Sequence, residues 1–246
     1  YFHIPTTMTA VVDSCLGGKT AINYRNIINS FGNYYHSKNV FISKNVLELI
    51  PKREFLSGIP EIIKCGLIND KKILNLLKFN KSKLLKRNYT FLSKLIRLTL
   101  LSKIKFFKDD VYEDSKRLNL NFGHTFAHAI EMSLKGKNTD LIRHGEAVGI
   151  GMLCEIYFFL GKNKVFYLLK NLLEHYDLPT NLLHLKIIKK NKNFKKNIFK
   201  NIFLDKKKIS KHPRVIKLIK IGNSKVTEIK KYNKIKKKIK NVVFTK

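Results

Sequence analysis

His124 and His128 stand four residues apart in the stretch HTFAH, a spacing that puts both imidazoles on one face of a helix. A third imidazole, His144, opens the stretch HGEAV. Glu61 and Lys64, three apart in PEIIKCGLI, share a face of an earlier helix. Two histidines and a carboxylate around an open position form the donor set of a catalytic zinc. An ion held that way acts as a Lewis acid on a substrate oxygen. The same spacing also suits histidines that bind nothing. HTFAH is not the zincin motif either, because Thr125 stands where that motif has Glu. His3, His36, His175, His184 and His212 have no such company and read as ordinary residues.

The stretch DSCLGGKTAIN, residues 13–23, has the paired glycines, lysine and threonine of a phosphate cradle. A nucleotide-binding P-loop needs a glycine at the position that Asp13 occupies. A carboxylate there faces the phosphates instead of opening the turn. Taken alone, GGKT is a tight turn that carries a lysine.

Composition narrows the classes further. The chain has 246 residues, 44% of them hydrophobic, enough to bury a core. Cys15, Cys65 and Cys154 are too few and too scattered for a disulfide framework or a cysteine zinc site, which fits a reducing cytoplasm. The longest apolar run, AVGIGMLC at 147–154, ends at Glu155, short of the roughly 20 residues a membrane span needs. No basic-then-apolar leader opens the chain, so a cytoplasmic protein is expected. The net charge is +33 with a pI near 10.1. Of the 50 basic residues 43 are lysine, spread along the whole chain, whereas nucleic-acid sites favour arginine forks and stacked aromatics. Abundant Lys, Asn and Ile, with their A- and T-rich codons, point to base composition instead of a specific nucleic-acid partner. A basic nucleic-acid-binding protein is the rival reading; it predicts steeply salt-dependent DNA affinity and no metal.

The elements that must position these residues fall into two stretches. Residues 1–50 read as mixed α/β: AVV (10–12) and NVFIS (39–43) are β-rich, and Gly17, Gly18 and Gly32 punctuate them. A first residue of Tyr and an immediate β-like run suggest a start in mid-domain. From Pro51 the periodicity turns helical, with Pro60 starting or kinking a helix. KKILNLLKFN and FLSKLIRLTLLSKIKFF repeat every three to four residues, and the two histidine-bearing stretches read as core helices. Residues 164–186 read as helical, and KKYNKIKKKIK near the end as a solvated helix or tail.

PTTMTAVVDSCLGGKTAIN, PEIIKCGLI, LNFGHTFAHAIE and HGEAVGIGM occur in the order and at the spacing of 3-dehydroquinate synthase, so the chain resembles that sugar phosphate cyclase family. The resemblance weakens after about residue 165 and returns at DKKK, residues 205–208. It implies the remainder of a Rossmann-like α/β NAD-binding domain over 1–50 and an all-α metal- and substrate-binding domain over 51–246. It also implies an NAD-dependent lyase of the shikimate route to aromatic amino acids, acting on a seven-carbon sugar acid phosphate, with a divalent metal (zinc, or cobalt) and a homodimer. Carried over by position, Glu61, His124 and His144 resemble the metal ligands. Thr6, Thr7, Lys19, Val46, Leu47, Glu48 and Leu49 resemble cofactor contacts. Lys19, Lys64, Lys103, Glu113, Arg117, Asn121 and His128 resemble catalytic residues, and Asp13, Asn29, Lys206 and Lys207 further substrate contacts. A substrate bearing a carboxylate and a phosphate needs several cations converging on it. His128, whose reference pKa is nearest neutral, fits proton handling.

The sequence departs from the family pattern in three ways. The family's glycine-rich pyrophosphate turn and an arginine that crosses to the neighbouring subunit are not in it, so a truncated or partial copy is expected. Ile28 stands where the family has a cofactor-contacting lysine. Three extra residues lie between His124 and His144, within KGKNTD. These changes weigh on NAD affinity more than on the metal. A sister cyclase of the deoxyinosose type and an inactive remnant are the alternatives, with the glycerol dehydrogenase group more distant. Retention of Lys103, Arg117 and Asn121 favours the carboxylate-bearing substrate.

Overall fold

A computed structural model describes residues 1–24, 27–134, 141–183, 185, 192–204, 212–230 and 232–244. Lys206, Lys207, His184 and the KGKNTD insertion lie outside the described residues. The chain groups into two compact units, Tyr1–Leu120 with Lys220–Asn223, and Asn121–Ile219 with Ser224–Lys246. Among the described residues no helix is long and apolar enough to cross a membrane.

The first unit begins as α/β. Strand β1 (Phe2–His3) pairs in parallel with β4 (Asn39–Val40), and β2 (Lys19–Tyr24) runs antiparallel to β3 (Ile27–Tyr34). The β2–β3 register sets Lys19 opposite Tyr34 and Ile22 opposite Phe31, with an irregularity between Ile22 and Tyr24. Phe2, Ile22, Phe31 and Phe41 stay exposed on these strands and beside them. Two expectations change here. AVV is not a strand: Ala10–Ser14 forms one π-helical turn in which Cys15 N donates to Ala10 O. A short apolar run does not distinguish a buried strand from a buried helical turn. The local decision comes from Thr7, whose hydroxyl accepts from Ala10 N at 3.1 Å and whose carbonyl accepts from Val11 N. NVFIS shortens to the two-residue β4.

Helices α1 (Lys44–Leu49), α2 (Lys52–Ser57), α3 (Ile59–Ile68), α4 (Lys71–Phe79), α5 (Lys81–Leu85) and α6 (Tyr89–Phe107) follow. Pro60 sits in the first turn of α3, where its missing N–H costs nothing, so it starts the helix and does not kink it. Every residue of α3 is buried, between α4, α6 and the π-helical turn. Side-chain caps fix the next starts: Asp70 accepts from Lys72 N and Asn88 from Phe91 N. A 3₁₀ segment, Lys116–Asn121, closes the run.

The second unit holds α7 (His124–Leu134), α8 (His144–Leu160), α9 (Lys164–His175), α10 (Lys192–Leu204), the strands β5 (Arg214–Lys220) and β6 (Asn223–Glu228), and α11 (Tyr232–Val243). Helix α8 is apolar nearly all round and is the core element, with α7, α9 and α11 against it. The α7–α8 crossing is close because glycine stands on α8, at Gly151, and immediately before α7, at Gly123. A Cβ on Gly151 would lie 2.0 Å from the Gly123 carbonyl oxygen, and Gly123 has φ +83°. The lysine-rich end is not a solvated tail. Ile235, Ile239, Val242 and Val243 recur at helical spacing and are buried, Lys236 and Lys240 are exposed, and half-buried Lys238 donates to the Phe158 carbonyl at 2.8 Å. The sequence reading also missed β5 and β6, whose Lys and Asn content masks a strand with Val215, Ile216 and Leu218 buried.

Candidate active-site residues

In the first unit the π-helical turn, α3 and α6 bring four charged side chains together. Asp13, one residue before the end of the turn, accepts from Lys103 Nζ at 2.8 Å through Oδ1, and the same ammonium reaches the Asp13 carbonyl. Lys64 Nζ lies 3.6 Å from that Oδ1 and pairs with Glu61 one helical turn earlier. The Lys64 and Glu61 side chains are each 1% exposed, and that of Lys103 is 5% exposed. Burial works against the Lys64 charge, but the Glu61 and Asp13 carboxylates outweigh it and raise its pKa, so the ammonium stays charged. Burial pushes the neighbouring thiols the other way: Cys15 to about 11 and Cys65 to about 12. Both remain neutral thiols at physiological pH and are not nucleophiles.

A second group in this unit is organised by the 110–117 turn. Asp110 accepts from the amides of Asp114, Ser115 and Arg117 and from the Ser115 hydroxyl. Burial alone would raise its pKa, but these hydrogen bonds hold it below the usual carboxylate range. The turn sets Glu113 at φ +65°, where it pairs with Lys19. It also aims Arg117, 4% exposed, at the carbonyls of Gly17 and Val111, with the Tyr34 ring 5.4 Å from its guanidinium carbon. A Cβ on Gly17 would lie 2.7 Å from Arg117 Nη2, so the glycine of GGKT makes room for the guanidinium.

The expected cofactor contacts are more scattered. Thr6 and Thr7 are exposed beside the π-helical turn. On α1, Leu47 is buried, Val46 is half-buried, and Glu48 and Leu49 are exposed. Arg87 closes the end of α1 by donating to the carbonyls of Leu47, Glu48 and Ile50, with its guanidinium over the Phe55 ring. Asn29 lies exposed on β3 at φ +51°.

The second unit gathers the three histidines. Ring centroids are 5.3 Å apart for His124–His144, 5.5 Å for His124–His128 and 6.3 Å for His128–His144. A zinc–imidazole bond of about 2.05 Å puts a ring centre about 3.2 Å from the ion, so two tetrahedral imidazoles have centres about 5.2 Å apart. His124 and His144 meet that spacing, His124 and His128 nearly so, and His128 with His144 does not. His124 Nδ1 faces the Phe122 carbonyl at 3.3 Å, and His144 Nδ1 faces Glu131 Oε1 at 3.0 Å. Asn121 lies at the end of the 3₁₀ segment leading into α7. Sequence reasoning missed Glu131, although its place seven residues after His124 and three after His128 set it on their face of α7. It also missed Asp110, for which the sequence carries no signal.

Comparison with known proteins shows the family and the fold. The family model for the 3-dehydroquinate synthase N-terminal region matches residues 1–57, and that for the C-terminal region matches residues 58–208. The 3-dehydroquinate synthase of Thermodesulfovibrio yellowstonii is 38% identical over 231 residues, covering 92% of this chain and 61% of that protein. That of Dictyoglomus thermophilum is 44% identical over 157 residues, covering 64% of this chain and 43% of that protein. Among solved structures, a 2-epi-5-epi-valiolone synthase from Streptomyces hygroscopicus with NAD+ and Zn2+ bound superimposes with a TM-score of 0.82. At 21% identity over 97% of this chain and 65% of that one, it speaks for the fold alone. A 2-deoxy-scyllo-inosose synthase complexed with carbaglucose-6-phosphate, NAD+ and Co2+ is 26% identical, with a TM-score of 0.74, covering 98% of this chain and 66% of that one. The fold is thus Rossmann-like α/β at the start of the chain, followed by a helical domain. The chain spans about three fifths of the length of the Thermodesulfovibrio relative. With the two family models matching adjoining stretches, residues 1–57 and 58–208, the chain belongs to the 3-dehydroquinate synthase family.

Proposed function

We propose that this chain carries the metal- and substrate-binding part of a 3-dehydroquinate synthase, which converts 3-deoxy-D-arabino-heptulosonate 7-phosphate to 3-dehydroquinate and phosphate. The observation that carries the reading is the buried set Asp13, Glu61, Lys64 and Lys103. Two ammonium groups held almost out of water by carboxylates are a preorganised receptor for an anionic substrate. Glu61, His124 and His144 would hold a divalent ion, zinc or cobalt, each giving one ligand atom. When bound, NAD supplies a reversible hydride acceptor and the ion lowers the pKa of the hydroxyl to be oxidised.

The remaining roles belong to the chain's own side chains. Lys64 and Lys103 bind the substrate's anionic groups, with Asp13 fixing both ammonium groups between turnovers. Arg117 keeps its two backbone bonds and has donors to spare for a carboxylate, since a guanidinium carries five. Lys19, held by Glu113, is assigned to the substrate, as are Asn29, Asn121 and one of Lys206 and Lys207. His128 moves protons. Thr6, Thr7, Lys19 and residues 46–49 would be the NAD contacts. We read the functional division as 1–50 for the NAD-binding remainder and 51–246 for the metal and substrate, supported by the junction of the two family models at 57 and 58. A cytoplasmic homodimer is the assembly we expect.

A sister cyclase is the second reading, favoured by the likeness to 2-deoxy-scyllo-inosose synthase. Phosphate release from the heptulosonate phosphate and from glucose 6-phosphate, each with NAD and Zn2+ or Co2+, separates the two. Turnover of the former only, lost in Glu61→Ala together with bound metal, supports the synthase. Release from glucose 6-phosphate alone supports the sister enzyme. A metal-free chain inert towards both substrates overturns both readings and leaves an inactive remnant.

A further inference from the structure

We propose that Glu131 is a positioning residue for the metal centre: it holds the His144 ring so that Nε2, and not Nδ1, is the ligand atom. The proposal rests on the reading above that His144 binds the metal. A neutral imidazole carries one ring proton, and its hydrogen-bond partner decides which nitrogen keeps it. The His144 Nδ1 lies 3.0 Å from Glu131 Oε1. A carboxylate accepts and does not donate, so the proton sits on Nδ1 and the Nε2 lone pair is left for an ion. His124 is held in the same sense, with Nδ1 on the Phe122 carbonyl at 3.3 Å. Both rings then present Nε2 from opposite helices of one crossing, α7 and α8. The two partners differ in one respect. A carbonyl only orients, whereas a carboxylate also makes the ring a stronger donor to a cation.

Position on α7 lets the role be tested without wrecking the fold. Ala127, Ile130 and Leu134 form the buried stripe of the helix, while the Glu131 side chain is 30% exposed. Glu131→Gln keeps the length and an acceptor oxygen but removes the charge; Glu131→Ala removes both. Two readouts apply, one of which needs no metal. In the metal-free chain, nitrogen-15 spectra of the histidine rings report the tautomer. His144 should carry its proton on Nδ1 and lose that preference in Glu131→Ala. In Co2+ titrations followed by visible absorption, Glu131→Gln should bind roughly 10-fold more weakly and Glu131→Ala up to roughly 100-fold, with the band intensity of bound Co2+ unchanged.

Wild-type tautomer at His144 with the proton on Nε2, or an unchanged Co2+ affinity in both variants, overturns the proposal. So does a loss equal to that of His144→Ala with an altered band intensity, which makes Glu131 a direct ligand. If His144→Ala binds Co2+ as well as wild type does, the metal assignment itself fails. The tautomer measurement still stands in that case and separates the two failures.

Discussion

The Glu61–Lys64 pair makes a quantitative claim about the core of the first unit. Both side chains are 1% exposed, so neither charge is solvated and each depends on the other. Breaking a buried pair by removing one partner costs about 3–5 kcal/mol, because the survivor is left uncompensated. In Glu61→Gln, Lys64 keeps Asp13 at 3.6 Å. Two unit charges at that separation attract by about 4–5 kcal/mol at an effective dielectric of about 20. Lys103 already shares that carboxylate at 2.8 Å, so only part of the attraction is left for Lys64. The expected loss is therefore about 3 kcal/mol. Lys64→Met takes the ammonium away from a buried carboxylate and should cost about 4 kcal/mol, limited by uptake of a proton. The double variant Glu61→Gln/Lys64→Met should cost less than the sum of the two by at least about 2 kcal/mol, the signature of a coupled pair. Urea unfolding monitored by far-UV circular dichroism, with the slope held constant, measures all four corners of the cycle. Burial also predicts that adding about 0.5 M salt leaves the coupling intact, unlike a surface pair. Additive single losses, or a coupling that vanishes in salt, would refute the claim that the pair is desolvated and interdependent.

Three further outcomes follow from the geometry. Asp110→Ala should unfasten the turn that carries Glu113 and Arg117, lowering stability by about 2 kcal/mol, and proteolysis within 110–117 should accelerate. Because the Asp110 pKa is depressed in the folded state, its contribution is present above the unfolded carboxylate value of about 3.9 and is lost as pH falls through the folded one; an acid titration of wild type against Asp110→Asn reads this directly. The buried thiols act at the other end of the scale. Cys15 and Cys65 keep their protons to about 11 and about 12 in the folded chain, whereas an unfolded thiol loses its proton near about 8.5, so the unfolded state binds fewer protons there. Stability should fall from about pH 9 upward, and Cys65→Ser should flatten that fall in thermal melts taken at stepped pH. Gly151→Ala places a Cβ 2.0 Å from the Gly123 carbonyl oxygen, so it should destabilise the second unit by about 2–3 kcal/mol, while Gly161→Ala, whose Cβ would meet nothing within 4 Å, has only its positive φ to strain it and should cost less.

Helical spacing made α3, α4, α6, α7 and α8 legible, because apolar residues every three to four positions leave few other solutions. The same logic explains the failures. AVV is too short for any period to be read, and its π-helical form depends on hydrogen bonds to Thr7. The β5–β6 strands and α11 were hidden by lysine, which is abundant everywhere in this chain and therefore says little about exposure at any one place. Of the candidate site, the histidine and glutamate positions were visible as residue types at helical spacing. The bonds that hold them were not, because Asp110, Glu131 and Arg87 act through backbone groups or through a ring on another element.

The sequence by itself determined which residues could do chemistry and which family they resemble, since both depend on residue type and spacing along the chain. It also set where helices begin, because Pro60, Asp70 and Asn88 act on their own neighbours. Only the tertiary structure decided that Lys64 and Lys103 share Asp13, that Arg117 fills the space over Gly17, and that His144 lies against Glu131. Those contacts join residues separated by 13 to 100 positions. No local preference encodes them; they exist because packing of buried apolar faces brings their carriers together and a buried charge must then find its partner.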